Sequence, residues 1–276
     1  MSEDRMRMIL FLSGSSAMLL FCLTPFLYMV IISLSGNPDF LSTKVSFEPN
    51  LDNYILILTN STLHFPDYML NSLIVSGMSA LICVLTASLA AYAITRLPVP
   101  GKVFILLFVL AVSMFPQISL VGYLFKLMTN LGWINTYRAL TLPYVAWILP
   151  LSLWILVSYF SQIPGELDKA ALIDGCSRWQ ILIKVIFPVA APGIFSTLLL
   201  AFIFAFNEFL FALMLTTDHG ARTIPVGIAS FQGLHGELPW GTIMAASTTA
   251  TIPLLILTMV FQRRIIQGLT RGAVKG

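Results

Sequence analysis

Charge is what this chain has least of. Asp, Glu, Lys and Arg make up 10% of its 276 residues, against about a quarter in an ordinary soluble domain. Hydrophobic residues reach 58% and mean hydropathy is +0.90. So little charge excludes a soluble globular enzyme and points to an all-α integral membrane protein. Cys22, Cys83 and Cys176 have no evident disulfide or metal partner in the sequence and read as packing residues. His219 and His235 stand apart from other ligand types, so no metal site is expected. No Gly-x4-Gly-Lys-Ser/Thr loop occurs; Gly101-Lys102 lacks the upstream glycine. The chain therefore holds no nucleotide of its own and carries no catalytic constellation. Its net charge of +3 reads as loops facing anionic lipid, with no nucleic-acid partner.

What is abundant is uninterrupted apolar sequence. No Asp, Glu, Lys or Arg lies between Arg7 and Asp39, Asp67 and Arg96, Lys102 and Lys126, Arg138 and Glu166, Lys184 and Glu208, or Glu237 and Arg263. Each gap exceeds the ~20 residues that cross the hydrocarbon core as a helix. Six spans follow, near 9–34, 69–95, 103–127, 139–162, 192–216 and 241–262, within a single transmembrane domain over 1–276. The first apolar run is too long for a cleavable signal peptide. An even number of crossings puts both termini on one side. That side holds Arg5, Arg7, Arg96, Lys102, Lys169, Arg178, Lys184, Arg263, Arg264, Arg271 and Lys275, which is 11 of the 15 basic residues. By the positive-inside rule, the termini and the 163–191 loop face the cytoplasm of a cell (inner) membrane.

Two outer loops stand out. In 35–68, Leu51, Tyr54, Ile55 and Leu58 recur at helical spacing, consistent with a short helix lying on the membrane surface or with an irregular loop over the bundle. The 217–240 loop is rich in glycine, including Gly233-Leu234-His235-Gly236, and its backbone can approach another surface closely. Within the spans, Pro116, Pro143, Pro150 and Pro253 each free a backbone carbonyl. Such interruptions suit a transport path, where protein or water supplies a partner. Glu208 is the one carboxylate well inside a span, beside Asn207. A charge there faces a cavity or a partner, so the pair either lines a solute path, braces a partner chain or bonds a neighbouring helix. Tyr123, with Tyr92 and Trp133, could stack on a sugar or belong to the interfacial aromatic belt.

The 163–191 loop is built like a mechanical part. Pro164 suits a helix start, and Glu166 and Asp168 favour its positive end. Ala170 and Ala171 form helix with little bulk, and Gly175, after Asp174, is placed to end it left-handed. Ser177-Arg178-Trp179-Gln180 matches a capping box opening a second short helix, which Pro188 is expected to stop before Pro192 begins the next span. The product is a helix–turn–helix lever between two spans, with a first helix suited to a partner's groove.

This segment resembles the EAA loop of ABC-importer permeases: Glu-Ala-Ala, three residues, Gly, nine residues, Ile, one residue, Leu-Pro. Lys169-Ala170-Ala171 is followed by Gly175, Val185, Phe187 and Pro188 at that spacing. Lys169, Val185 and Phe187 depart from the pattern, and Glu166 or Asp168 could replace the lost glutamate one turn away. Further matches are Asn71-Ser72-Leu73, Ala91-Tyr92-Ala93 before Arg96, Gly101-Lys102, and Phe206-Asn207-Glu208-Phe209. They continue in Gln262-Arg263-Arg264 and in Gly268 to Gly276. Over essentially its whole length the chain resembles the six-span smaller permease of the maltose and trehalose branch.

That resemblance implies a type I importer permease forming half of a sugar pore. It implies a second homologous permease, two ATP-binding subunits holding ATP and Mg2+, an extracytoplasmic sugar-binding protein, and surrounding lipid. Glu166, Asp168, Lys169, Ala170, Ala171, Asp174, Gly175 and Pro188 would belong to the coupling loop seated on an ATPase subunit. Gln262, Gly272 and Lys275 would reach the ATPase subunits through the tail. Gly233, Leu234, His235 and Gly236 would enter the binding protein. The solute would be a disaccharide or glucosyl compound such as trehalose, maltose or glucosylglycerol. Two other readings stay open. A secondary transporter would need inverted repeats and intramembrane charges, of which Glu208 alone is present. The other is an ABC permease for a non-sugar solute such as a polyamine or phosphonate, of which a cationic solute would call for several acidic residues in the spans.

Overall fold

The computed structural model describes residues 3–35, 49–231 and 238–273, with the side chains of 3–5, Ile9 and 262–273 excepted. Apart from an isolated bridge between Ser35 and Pro49, the regular structure of these residues is helical. The helices are α1 (Glu3–Ser33), α2 (Asp52–Thr59), α3 (Phe65–Arg96), α4 (Lys102–Ser113), α5 (Gln117–Asn130) and α6 (Tyr137–Ser161). They continue as α7 (Glu166–Ile173), α8 (Arg178–Ile181), α9 (Phe187–Phe206), α10 (Leu210–Leu215), α11 (Ile224–Ala229) and α12 (Trp240–Ala273). Among the described residues, five runs are long and apolar enough to cross a membrane: Met6–Ser33, Phe65–Arg96, Tyr137–Ser161, Arg178–Phe206 and Trp240–Phe261. The pair α4 and α5 passes the same test only when taken together and is bent by 87° at its break, the geometry of a broken span or of a re-entrant loop.

Two expected spans therefore need correction. The third is not a continuous crossing over 103–127. Pro116 has no N–H to donate and pushes the preceding residue out of helical conformation, so α4 stops at Ser113 and α5 restarts at Gln117. The fifth does not begin at Pro192 or run intact to 216. It extends from Arg178, ends at Phe206, and resumes as the short α10. Pro143, Pro150 and Pro253 leave α6 and α12 unbroken. Both prolines of α6 are buried, where neighbouring protein can satisfy the freed carbonyls.

Contacts divide the described residues into two compact units. One comprises 1–66 with 228–252. Its hub is Asn53, whose Nδ2 donates to the carbonyls of Ser33 at 3.1 Å and Ser35 at 2.9 Å, satisfying the last turn of α1. The Thr242 hydroxyl donates to Asn53 Oδ1 at 3.3 Å. Residues 52–59 thus form a short helix rather than an irregular loop. Its buried residues are Asn53 and Ile57, while Leu51, Ile55 and Leu58 of the apolar stripe stay exposed.

The second unit comprises 67–227 with 253–276. Here α6 packs on α4 and α9, and α10 packs on α5 and α6. Its core includes Leu140, Tyr144, Leu156, Phe160, Ile181 and Ile186. The thiol of Cys83 on α3 donates to Ser152 Oγ on α6 at 3.4 Å. Small residues let membrane helices approach closely, and Gly193 of α9 lies flat on the Tyr159 ring of α6. A Cβ there would stand 2.5 Å from Tyr159 Cγ. Gly193→Ala is expected to lower unfolding stability in detergent by about 1–3 kcal/mol. Gly122→Ala, whose Cβ would meet nothing within 4 Å, is the control, and equal stability of the two variants would refute this close packing.

Candidate functional site

The loop between α6 and α9 is ordered by local chemistry. Its first helix, α7, is closed by Gly175 at φ +81°. The Gly175 N–H donates to Leu172 O at 3.1 Å and the Cys176 N–H to Ala171 O at 2.9 Å, the paired bonds of a Schellman stop. Two residues later Ser177 opens α8. Its hydroxyl accepts from Gln180 N at 3.3 Å, and Gln180 Oε1 accepts from Ser177 N at 2.8 Å, completing a capping box. The expected stop at Pro188 does not occur. A π-turn over Leu182–Ile186 carries α8 into α9, with Phe187 N–H donating back to Leu182 O. Pro188 falls in the first turn of α9, and the wider π-turn before it accommodates a residue that cannot donate.

The two faces of α7 are unlike. Asp168 and Ala171 are buried, while Glu166, Lys169, Ala170, Asp174 and Gly175 are exposed. Glu166, Lys169, Ala170 and Ile173 lie at i, i+3, i+4 and i+7 and share one outward face. Ile173 is 86% exposed, and Leu172 and the nearby Trp179 are also exposed. These three were missed as site residues, although Ile173 continues the helical spacing of Lys169 and Ala170. Asp168 points inward: its Oδ2 lies 3.4 Å from Arg96 Nε of α3. It is thus committed to Arg96, leaving Glu166 as the exposed α7 carboxylate nearest Lys169. Arg96 Nη2 also donates to Ile163 O at 2.7 Å and Phe160 O at 3.3 Å. One turn earlier on α3, Tyr92 OH donates to Arg178 O at 3.3 Å.

At the break between α9 and α10, Glu208 neither points into open space nor reaches only for a neighbouring helix. Its Oε1 accepts from Phe211 N at 2.9 Å and its Oε2 from Ala212 N at 3.2 Å. The carboxylate therefore caps the segment after its own break, as a negative group suits a helix start. Asn207 is exposed, with Nδ2 donating to Ile203 O at 2.8 Å. Tyr123 of α5 is 70% exposed. The structure does not bring Tyr123 into hydrogen-bonded contact with Asn207 or Glu208 among the described contacts.

The start of the 217–240 loop is pinned. Asn135, itself at φ 60°, accepts from Thr217 N at 3.1 Å and donates to Asp218 Oδ1 at 2.7 Å. Asn71 Nδ2 donates to His219 O at 2.8 Å and Arg222 O at 3.0 Å, and Ser72 Oγ accepts from Ile224 N at 2.7 Å. Gly233, Leu234, His235, Gly236 and Lys275 lie outside the described residues. Gln262 and Gly272 fall on α12, whose side chains are not described there.

Asp218 also accepts from Gly220 N at 2.7 Å. That bond first, then the Asn135 amide, holds its carboxyl below the usual carboxylate range of about 3.9. A depressed folded value means the turn is fully supported above the unfolded value and loosens as pH falls through the folded one. The hydrogen-exchange protection factor of the Gly220 amide is expected to stay level from about pH 5 to pH 8 and fall in stronger acid. Asp218→Asn should remove this pH dependence, and an unchanged profile in that variant would contradict the assignment.

Comparison with known proteins agrees with this architecture. Residues 83–271 match the family described as binding-protein-dependent transport system inner membrane component. The chain is 56% identical over 277 residues to the trehalose/maltose transport system permease protein MalG of Thermococcus litoralis, covering 100% of both chains. It is 40% identical over 258 residues to the trehalose transport system permease protein SugB of Mycobacterium tuberculosis, covering 93% of each. A crystal structure of a bacterial ABC transporter that imports the acidic polysaccharide alginate superposes with a TM-score of 0.78 at 19% identity. That match covers 95% of this chain and 98% of the other. Helical make-up, apolar spans and whole-length similarity converge: the chain belongs to the binding-protein-dependent transport system inner membrane component family, among the multi-pass permeases of carbohydrate ABC importers.

Proposed function

We propose that this chain forms half of the translocation pore of an ATP-driven importer for a neutral disaccharide or glucosyl solute, such as trehalose, maltose or glucosylglycerol. The observation that carries the reading is the two-faced α7. One face is tied into the bundle through Asp168 and Ala171, and the other is left bare around Lys169, Ala170 and Ile173. A short helix held rigidly on one side and exposing an isoleucine on the other is suited to a groove in a soluble partner.

On this reading α7 docks on one of two ATP-binding subunits, which hold the ATP and Mg2+ that this chain has no loop to bind. Glu166, Lys169, Ala170, Asp174 and Gly175 lie on or beside the docking face, and Pro188 sits behind it at the foot of α9. Gln262, Gly272 and Lys275 belong to a tail directed at the ATPase pair. Gly233, Leu234, His235 and Gly236 belong to the loop offered to an extracytoplasmic sugar-binding protein, with its base pinned at Asn135 and Asp218. A second homologous permease completes the pore, and Asn207 and Tyr123, both exposed, face the path or that companion. The basic side of the chain, with both termini, is cytoplasmic. Support for a sugar comes from the relatives named for trehalose and maltose and from spans with little charge.

The test is uptake of labelled trehalose or maltose into vesicles carrying the assembled complex, with ATP inside and the binding protein outside. The unaltered complex should accumulate sugar only with ATP. Gly175→Val places a β-branched residue at φ +81°, which opens the Schellman stop. It is expected to lower uptake roughly tenfold or more while the chain remains in the membrane. Normal uptake by that variant would count against α7 as the coupling element.

A further inference from the structure

Arg96 has more partners than a residue at the end of a membrane helix needs. Its Nη2 donates to the carbonyls of Phe160 and Ile163, at and just beyond the end of α6. A guanidinium there satisfies carbonyls left without helical partners and suits the negative end of that helix. Its Nε faces Asp168 of α7 at 3.4 Å. Four residues earlier, on the same face of α3, Tyr92 holds the Arg178 carbonyl of α8. One face at the end of α3 thus grips the end of α6 and both helices of the loop.

The Arg96–Asp168 contact is made in an unusual way. The two side chains are only 11% and 9% exposed. Yet neither Asp168 oxygen accepts a hydrogen bond, and Arg96 Nε donates none. A buried ion pair lacking hydrogen bonds is a poor source of stability, because desolvation offsets the attraction. What it does supply is position. It ties α7 laterally to α3, which continues from Arg96 as a membrane span. The other buried residue of α7, Ala171, is a small apolar side chain.

We propose that Arg96 is a positioning residue for energy coupling: through Asp168 it makes α7 and α3 move together, so displacement of the docking helix reaches the α3 span. This rests on the importer reading above. Arg96 touches neither ATP nor sugar; it acts through α7. The two α6 carbonyls hold the guanidinium in place while its Nε side faces Asp168.

The experiment uses the whole complex in vesicles, measuring sugar transported and ATP hydrolysed together. Asp168→Asn keeps the side-chain volume and leaves Arg96 on the α6 carbonyls. Arg96→Gln removes the cation, and Arg96→Lys retains charge without the fork. In both Asp168→Asn and Arg96→Gln, ATPase subunits should co-purify and hydrolysis persist, while sugar moved per ATP falls at least about fivefold. The double variant should be no worse than the poorer single one, as expected for residues acting as a unit. Arg96→Lys should recover part of the ratio.

Equal losses of uptake and hydrolysis, leaving the ratio unchanged, would overturn the proposal, as would additive losses in the double variant. Loss of the ATPase subunits from both single variants would also overturn it, because the pair would then hold the docking surface rather than convey its motion. Absence of ATP-driven uptake in the unaltered complex would instead remove the importer reading, and the inference with it.

Discussion

Inside hydrocarbon, every backbone N–H and C=O has to find its partner within the protein, and the rest of this structure answers to that constraint. Where a helix is continuous the condition meets itself. Where the chain breaks, something local must take over. At the α9–α10 break the Glu208 carboxylate takes two amides at once, from Phe211 and Ala212. At the Pro116 break tighter turns take over, with Met114 N donating to Ala111 O and Phe115 N to Val112 O. The helices that follow these two breaks pack on each other, α10 against α5. Irregular backbone within a membrane is tolerated against protein or beside a water-filled cavity.

The same logic explains the end of the bundle where the basic residues gather. Four segment ends meet there, and the chain joins them by borrowing side chains from α3. Tyr92 and Arg96 supply donors to carbonyls on α8 and at the end of α6, and Arg96 adds a charge for Asp168. Beyond this junction the Schellman stop at Gly175 and the capping box at Ser177 turn the chain within a few residues. The loop is therefore stiff at its corners and anchored at its root. Those are the properties that the proposed coupling through α7 requires.

Much of this was legible in the sequence. Gaps between charges marked the long apolar helices, though not their breaks, because a charged side chain in hydrocarbon is costly wherever it stands. Gly175 and Ser177-Arg178-Trp179-Gln180 were readable because caps depend on nearest neighbours alone. What escaped depends on partners far along the chain. Pro116 breaks its span while Pro143 and Pro150 do not, and the difference lies in what surrounds each one. Pro188 looked like a stop because a π-turn leaves no composition signal. Asp168 and Glu166 are both acidic and two residues apart, yet Asp168 faces Arg96, remote in sequence, and Glu166 faces out. Glu208 was readable as anomalous, but its role as the cap of α10 required knowing that the helix ends at Phe206. For α2 the spacing located the helix, whereas the buried face belongs to Asn53 and Ile57.

The central claim is that this chain cannot work alone and takes its energy through α7. The most direct measurement is purification of the tagged chain in mild detergent from its native membrane, with identification of the proteins that accompany it. The account predicts an ATP-binding subunit and a second, homologous permease. A chain that emerged alone and still transported sugar after reconstitution without ATP would contradict it, and would move attention from α7 to the carboxylate of Glu208.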